Sequence, residues 1–280
     1  MLRPGGWFLL GDSAKGYSNT TFIEMAYNLI VVDPNHPGQS HELPRLLSKL
    51  STKPVKYSLD THAHGDHSYG NSVWIWASAT SIAFVEVLTE MNRTEPSRWR
   101  ANDARRKGNR ETYESVVERP KKMLDGHRFV PKNRRRDADF LFMGWGHTPG
   151  DGYILFPKEH VLATGDAAAN GPCNKLLEAW IRHWPKIVEQ RTAFHPEIVQ
   201  PGHKPSGGQK LLIDQLIFRV DFYNAVEVPA KQGRALAQMT ISLPEANRNW
   251  IPKDLSQDIE ATHLEMRGRV PARLLPHELK

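Results

Sequence analysis

The chain predicts an α/β fold of four layers, an αβ/βα sandwich with two β-sheets face to face, helices on both outer faces and a basic helical insertion. Three observations lead there. Strand-like apolar runs alternate with helical patterns, in two similar halves. Several runs end in stretches rich in Gly, Pro, His and Asp, which read as loops at strand ends. Between the halves, residues 92–136 are charged and poor in branched apolar side chains until Val116-Val117, which breaks the alternation.

The first half opens with strand patterns at Trp7-Phe8-Leu9-Leu10, Thr21-Phe22-Ile23-Glu24-Met25 and Leu29-Ile30-Val31-Val32. Asp33-Pro34-Asn35-His36-Pro37-Gly38 is turn chemistry. Leu43, Leu46, Leu47 and Leu50 stand at i, i+3, i+4 and i+7 and predict a helix over 42–50. Val55-Lys56-Tyr57-Ser58-Leu59 is the next strand, Val73-Trp74-Ile75-Trp76 another, and 78–91 a helix. The 92–136 insertion is expected to hold one or two helices beside the site.

Strands resume over 138–145, 153–156 and 160–163. A helix is predicted over 175–190, with Leu176, Leu177, Trp180, Ile181 and Trp184 on one face, then a final strand at 198–200. From 208 the pattern is helical to about 231, with shorter helical pieces at 235–240 and 255–266 and a basic tail over 267–280. The expected organisation is one domain over 1–280, with the insertion at 92–136 and a C-terminal helical extension over 208–280. The chain shows no tandem repeat of the solenoid kind.

Bulk composition bounds the function. At 280 residues, 39% hydrophobic and 9% aromatic, the chain suits a soluble globular protein. No apolar run approaches bilayer-spanning length, so no membrane partner is expected. Met1-Leu2-Arg3-Pro4-Gly5-Gly6 lacks the apolar core of a secretion signal, and the expected compartment is the cytoplasm, with periplasmic export open if a leader has been removed. The single cysteine, Cys173, excludes an intrachain disulfide and reads as a small packed residue. Residues 91–136 hold fifteen Lys and Arg against six Asp and Glu, a local charge of +9 that leaves −3 for the rest of a chain totalling +6. Arg105-Arg106-Lys107 and Arg134-Arg135-Arg136 come without interleaved aromatic residues, which favours a solvated lid over a nucleic-acid surface.

The chemistry concentrates in Thr61-His62-Ala63-His64-Gly65-Asp66-His67. Three imidazoles and a carboxylate this close suit a metal cage of zinc, iron or manganese. His62 and His64 are two apart and point the same way on an extended segment. A glycine then lets the chain turn before Asp66 and His67, so one loop can serve two ions. Three later residues sit in comparable strand-end loops: His147 in Gly146-His147-Thr148-Pro149-Gly150-Asp151, Asp166 in Ala163-Thr164-Gly165-Asp166, and His203 in Pro201-Gly202-His203.

The ordered set HxHxDH, then His, then Gly-Asp, then Gly-His resembles the metallo-β-lactamase-fold hydrolase superfamily, over about residues 5–210. The resemblance implies that His62, His64 and His147 hold one metal, that Asp66, His67 and His203 hold a second, and that Asp166 bridges them. It implies two zinc ions, with iron or manganese as alternatives, and Asp66 as the catalytic residue. Three neutral imidazoles leave a tetrahedral zinc one open position for water. Zinc lowers the pKa of bound water from about 15.7 to roughly 7, so a bridging hydroxide could attack an ester, thioester, lactone or amide in a small molecule.

Asp166 bears on the substrate, because in this family true zinc β-lactamases generally carry Cys or Ser where the bridging Asp stands elsewhere. The alternatives are a β-lactamase, which nitrocefin would reveal; a phosphodiesterase or nuclease, invited by the basic segment; an iron-dependent persulfide dioxygenase, which would need oxygen; and an inert scaffold, which the complete ligand set disfavours. Flavodiiron reductases have Glu where this chain has His64.

Lys204, Tyr69 and Trp145 are the candidate substrate contacts, Lys204 as a grip for an anionic group unless it is merely solvated. Trp180 is expected in the core, and tryptophan-bearing helices could bury a homodimer contact. Asp60 is either a hydrogen-bond partner of a ligand imidazole or a turn cap, and Thr148 and Asp151 read as loop formers. His36, His127, His160, His183, His195, His263 and His277 read as surface residues and Asp125 as a turn.

Overall fold

Alternate side chains of the central strands face two different cores, as sheets covered on both sides require. In Leu29–Val32 (β3), Ile30 and Val32 enter one cluster while Leu29 and Val31 enter another. In Gly152–Phe156 (β9), Ile154 and Phe156 join the first of these clusters and Tyr153 and Leu155 a third. The cluster common to both strands, completed by Leu59, Ile82, Phe84 and Phe140, is therefore the interface between two sheets. A computed structural model describes residues 3–95, 97–105, 117–131, 137–172, 175–251 and 254–268.

The first sheet runs β1 (Gly6–Leu9), β2 (Thr20–Glu24), β3, β4 (Val55–Leu59), β5 (Thr80–Phe84), β6 (Lys122–Leu124) in spatial order. β1 to β3 pair antiparallel and β3 to β6 parallel. The second sheet contains β7 (Arg128–Phe129), β8 (Asp139–Phe142), β9, β10 (Val161–Gly165) and β11 (Ile198–Pro201), in the spatial order β11-β10-β9-β8-β7. Only β10 and β11 pair parallel there.

Short helices α1 (Pro37–Ser40), α2 (Leu43–Leu47), α3 (Gly65–Ser68) and α4 (Asn71–Trp76) follow the first sheet's strands. Leu43, Leu47 and Trp74 cover its outer face. α5 (Val85–Thr94) packs Val87 and Met91 on Ala63 and Ala83, and α6 (Ser97–Arg105) follows. The second sheet is covered by α7 (Trp184–Thr192), α8 (Gln209–Lys231) and α9 (Ser256–Met266), through Trp184, Ile187, Leu212, Phe218, Phe222 and Ile259. The four-layer expectation holds. Among the described residues, no helix is long and apolar enough to cross a membrane.

Several elements differ from expectation. Val73-Trp74-Ile75-Trp76 lies in helix α4, because a short apolar run carries no decisive period and only one side of this one is buried. The helix expected over 78–91 is a strand and a helix, since Thr80–Phe84 adds to β4 in parallel register. The helix expected over 42–50 is the shorter α2, with Pro44 in its first turn, and α1 forms at Pro37–Ser40 in and just after the expected turn. The helix expected over 175–190 begins only at Trp184, with Pro185 in its first turn. Upstream, carboxylates from α9 take the backbone donors: Asp258 accepts from Leu176 N at 2.9 Å, and Glu265 from Ile181 N at 2.7 Å and Arg182 N at 3.1 Å. The 92–136 segment also supplies β6 and β7, one strand for each sheet. Arg106, Lys107 and Arg134-Arg135-Arg136, like Cys173, His277 and the tail beyond 268, lie outside the described residues.

Because β3 and β4 are parallel, and β10 and β11 likewise, the segments after these strands emerge in pairs. Asp33, the 61–67 loop, Asp166 and His203 all follow those strand ends. Phe140 sits fully buried between the sheets with its ring 4.5 Å from Phe84. Phe140→Ala is expected to cost about 3–5 kcal/mol by leaving a cavity there. The check is a lower denaturation midpoint with an unchanged denaturant slope.

Candidate metal centre

The loop after β4 extends through His64 and turns into α3 at Gly65. That turn carries Asp66 and His67 in a direction different from His62 and His64. The result is two groups of donors: His62, His64, His147 and Asp166 in one, and Asp66, His67 and His203 in the other, each with its ligand atoms within 4.8 Å of one another. These are the seven residues singled out from the sequence.

Asp166 faces both groups. Its Oδ1 lies 3.3 Å from His67 Nε2 and 3.5 Å from His203 Nε2, and its Oδ2 3.6 Å from His147 Nε2. His203 Nε2 stands 3.0 Å from Asp66 Oδ2, and His64 Nδ1 is 3.1 Å from His147 Nε2. Buried His62 Nε2, His67 Nε2 and Asp166 Oδ1 make no hydrogen bond among the described residues. Buried polar atoms without partners are costly, so three such atoms at one cluster fit a cation as their missing partner. The donor set of imidazole and carboxylate fits zinc.

Other side chains fix the rings. Asp33 Oδ2 accepts from His67 Nδ1 at 2.9 Å and from the Thr61 hydroxyl at 3.0 Å, and Asp33 Oδ1 accepts from Thr61 N at 2.9 Å. With that proton committed, Thr61 Oγ1 can accept from His62 Nδ1 at 3.0 Å. Both rings then turn Nε2 inward. His64 is turned the other way, and its Nε2 contacts Glu178 Oε2 at 2.7 Å. Asp151 ties the His147 loop by accepting from His147 N at 2.6 Å and Thr148 N at 2.9 Å. Asn19 ties the His203 loop by donating to Pro201 O at 2.9 Å and Lys204 O at 2.8 Å.

Two glycines leave room for the centre. A Cβ on Gly202 would overlap Asp166 Oδ1 and stand 2.8 Å from His67 Cε1. Gly165 has φ +50°, and a Cβ there would overlap the Thr61 hydroxyl.

The groups differ electrostatically. Burial, helped by neighbouring imidazoles, pushes His62 well below the ordinary histidine range and His147 down to about 3. Burial acts the same way on His67, but Asp166, Asp66 and Asp33 outweigh it and raise it well above that range. His203 is also raised, by Asp166 and Asp66 against burial. Burial would raise the Asp66 and Asp166 carboxyls, yet His67 and His203 hold both below the usual carboxylate range. Burial lifts Asp151 to about 7 against its hydrogen bonds from Thr148 and His147.

The candidate substrate contacts fare unevenly. Tyr69 is fully buried with its hydroxyl donating to Glu95 Oε1 at 2.6 Å, so it supports the loop from behind and offers no surface to a substrate. Trp145 is half-buried and donates to Glu178 O at 2.8 Å. Trp180, expected in the core, is 42% exposed and meets Trp145 edge to face. Trp184 is fully buried in its own core and offers no dimer surface. Lys204 is half-buried with φ +69°.

Asp60 accepts from Asn71 Nδ2 at 2.6 Å, which ties the metal loop to α4. His36, expected at the surface, is buried beside Tyr17 and Trp99. Sequence reasoning missed Asp33, Asn19, Glu178 and Arg98. Asp33-Pro34-Asn35 carried a signal only as a turn, and Asp33 does adopt φ +56°.

The family model described as the metallo-beta-lactamase superfamily matches residues 14–203. Metallo-beta-lactamase IND-1 of Chryseobacterium indologenes is 25% identical over 201 residues, 68% of this chain and 73% of that protein. Among solved structures, the DIM-1 metallo-beta-lactamase aligns with a TM-score of 0.61 at 18% identity, over 76% of this chain and 91% of its own. A metallo-beta-lactamase from Pontibacter korlensis aligns with a TM-score of 0.59 at 16% identity, over 71% and 85%.

Asp33→Ala strips His67 Nδ1 and Thr61 of their acceptor. It is expected to weaken metal binding by about 10–100-fold. Titration against a chromophoric chelator measures this, and an unchanged affinity would remove Asp33 from the account.

Proposed function

The chain belongs to the metallo-beta-lactamase superfamily, and on that premise we propose that it is a binuclear zinc-dependent hydrolase of a small-molecule ester, thioester, lactone or amide. The observation that carries this is Asp166, whose two oxygens face the two donor groups. In this reading His62, His64 and His147 would hold one ion, Asp66, His67 and His203 the other, with Asp166 common to both. The chemistry such a pair supplies when bound is an acidified water near neutral pH and a polarised carbonyl. Iron or manganese are the alternative metals for these donors.

The chain's own residues do the rest. Asp33 and Thr61 set the tautomers of His67 and His62. Asp66 is the catalytic carboxylate of this proposal, because its side chain is the more exposed of the two at 29% against 9% for Asp166. It can steer water or an incoming polar group. Trp145 and Trp180 provide an apolar wall near the His147 loop. Lys204 follows His203 and is the proposed partner of an anionic substrate group, its backbone held by Asn19.

β-Lactam opening is the second reading, favoured because the named relatives are metallo-beta-lactamases. It uses the same nucleophile on a strained amide. A screen of lactones, thioesters, β-lactams and phosphodiesters on zinc-loaded protein ranks the classes.

Plasma emission on purified protein is expected to count two zinc equivalents, falling to one in Asp66→Ala and in His203→Ala. Activity should fall by more than the about 10–100-fold that loss of an outer partner costs. A chelator should abolish turnover and zinc restore it. Full metal occupancy in both variants would contradict the ligand assignment, and oxygen consumption dependent on ferrous iron would replace hydrolysis with oxidation.

A further inference from the structure

The basic segment between the two halves reaches the metal centre through a carboxylate. Glu178 Oε2 lies 2.7 Å from His64 Nε2, and its other oxygen, Oε1, pairs with the Arg98 guanidinium on α6. All three side chains are largely buried: His64 is 20% exposed, Glu178 14% and Arg98 15%. A carboxylate between a guanidinium and an imidazole, away from solvent, is a strong and directional hydrogen-bonding pair.

The geometry gives this contact a specific task. His64 Nδ1 faces His147 Nε2 at 3.1 Å, so Nδ1 is the donor atom on the metal side and Nε2 carries the proton toward Glu178. His62 and His67 are oriented from within the first half, by Thr61 and Asp33. His64 alone of these three is oriented from the second half and from α6. Glu178 is itself held in place. Its carbonyl accepts from Trp145 Nε1 at 2.8 Å, and its turn is pinned at Leu176 by Asp258 and at Ile181 and Arg182 by Glu265.

We propose that Glu178 is the positioning residue for His64 and that Arg98 clamps Glu178, so that α6 tunes metal affinity at the His62, His64, His147 and Asp166 group without supplying a ligand. This rests on the metal-binding reading above. Glu178 fixes the tautomer and rotation of one ring. Arg98 acts only through Glu178.

The test uses full-length, zinc-loaded protein, with zinc affinity read by competition against a chromophoric chelator. Glu178→Ala is expected to weaken one zinc equivalent by about 10–100-fold and leave the other within about twofold. Glu178→Gln keeps the shape and an acceptor oxygen and should recover part of the loss. Arg98→Met should weaken the same equivalent, and Arg98→Met with Glu178→Ala should be no worse than Glu178→Ala alone. Cobalt-substituted Glu178→Ala should show a shifted visible absorption band.

Wild-type affinity for both equivalents in Glu178→Ala would overturn the proposal, as would an equal loss at both. Independent, additive effects of the two substitutions would overturn the role of Arg98. If Glu178→Ala does not fold, the Glu178→Gln and Arg98→Met comparison decides alone. Wild-type protein that binds no zinc sinks the metal reading itself, whereas wild-type protein that binds two with indifferent variants sinks only this inference.

Discussion

Everything at the strand-end rim depends on how a crowd of buried titratable groups is kept compatible with folding. Five imidazoles and two carboxylates are gathered there, with His62, His67 and His147 essentially out of solvent. Burial on this scale penalises every charged form, and leaving polar atoms bare penalises the neutral ones. The chain answers differently in the two groups. Burial shifts His62 and His147 toward the neutral form, while Asp66 and Asp166 favour the charged form of His67 and His203. Opposite charges thus neutralise one another in one group, and lone pairs accumulate in the other. A pair of divalent cations, as proposed, would resolve both conditions with the same atoms, because it would replace the protons of one group and give the lone pairs of the other a partner.

That solution works only if the rings cannot rotate, and the fold supplies the restraint from its backbone outward. Asp33 leaves β3 in a left-handed conformation and accepts three hydrogen bonds, from Thr61 N, Thr61 Oγ1 and His67 Nδ1. It is therefore both the register pin between neighbouring strand ends and the selector of two tautomers. Asp151 and Asn19 do the corresponding work for the His147 and His203 loops. The parallel pairs β3–β4 and β10–β11 make this possible, since antiparallel neighbours would send successive loops to opposite rims.

The sequence was most legible where local chemistry and tertiary role coincide. The candidate ligands stood out because His, Asp and Gly in that order serve no packing purpose. The central strands stood out because both faces are buried and the runs are apolar. It was least legible where a distant partner decides the local conformation. Residues 175–183 have helical periodicity, but the amide protons of Leu176, Ile181 and Arg182 go to Asp258 and Glu265, more than 80 positions away. Thr80–Phe84 looks helical alone and is a strand because β4 offers it an edge. The outer partners were hidden for the same reason. Nothing local distinguishes Glu178 or Arg98 from any surface ion pair until the fold sets them behind His64.

The position of Glu178 changes how the basic segment is to be understood. Composition alone marks residues 92–136 as an appendage, since the charge is local and the helical pattern is weak. Yet β6 and β7 extend the two sheets from within it, Trp99 stacks near His36 and Tyr69, and Arg98 reaches the carboxylate behind a donor imidazole. Arginine suits that last task better than lysine, because its planar fork holds a carboxylate in one orientation. A carboxylate held in one orientation can in turn hold one face of an imidazole. The segment that departs most from the regular alternation of the fold is thus joined to its chemistry by two hydrogen-bonded side chains, and the two halves of the sandwich meet at His64 as well as in their shared core.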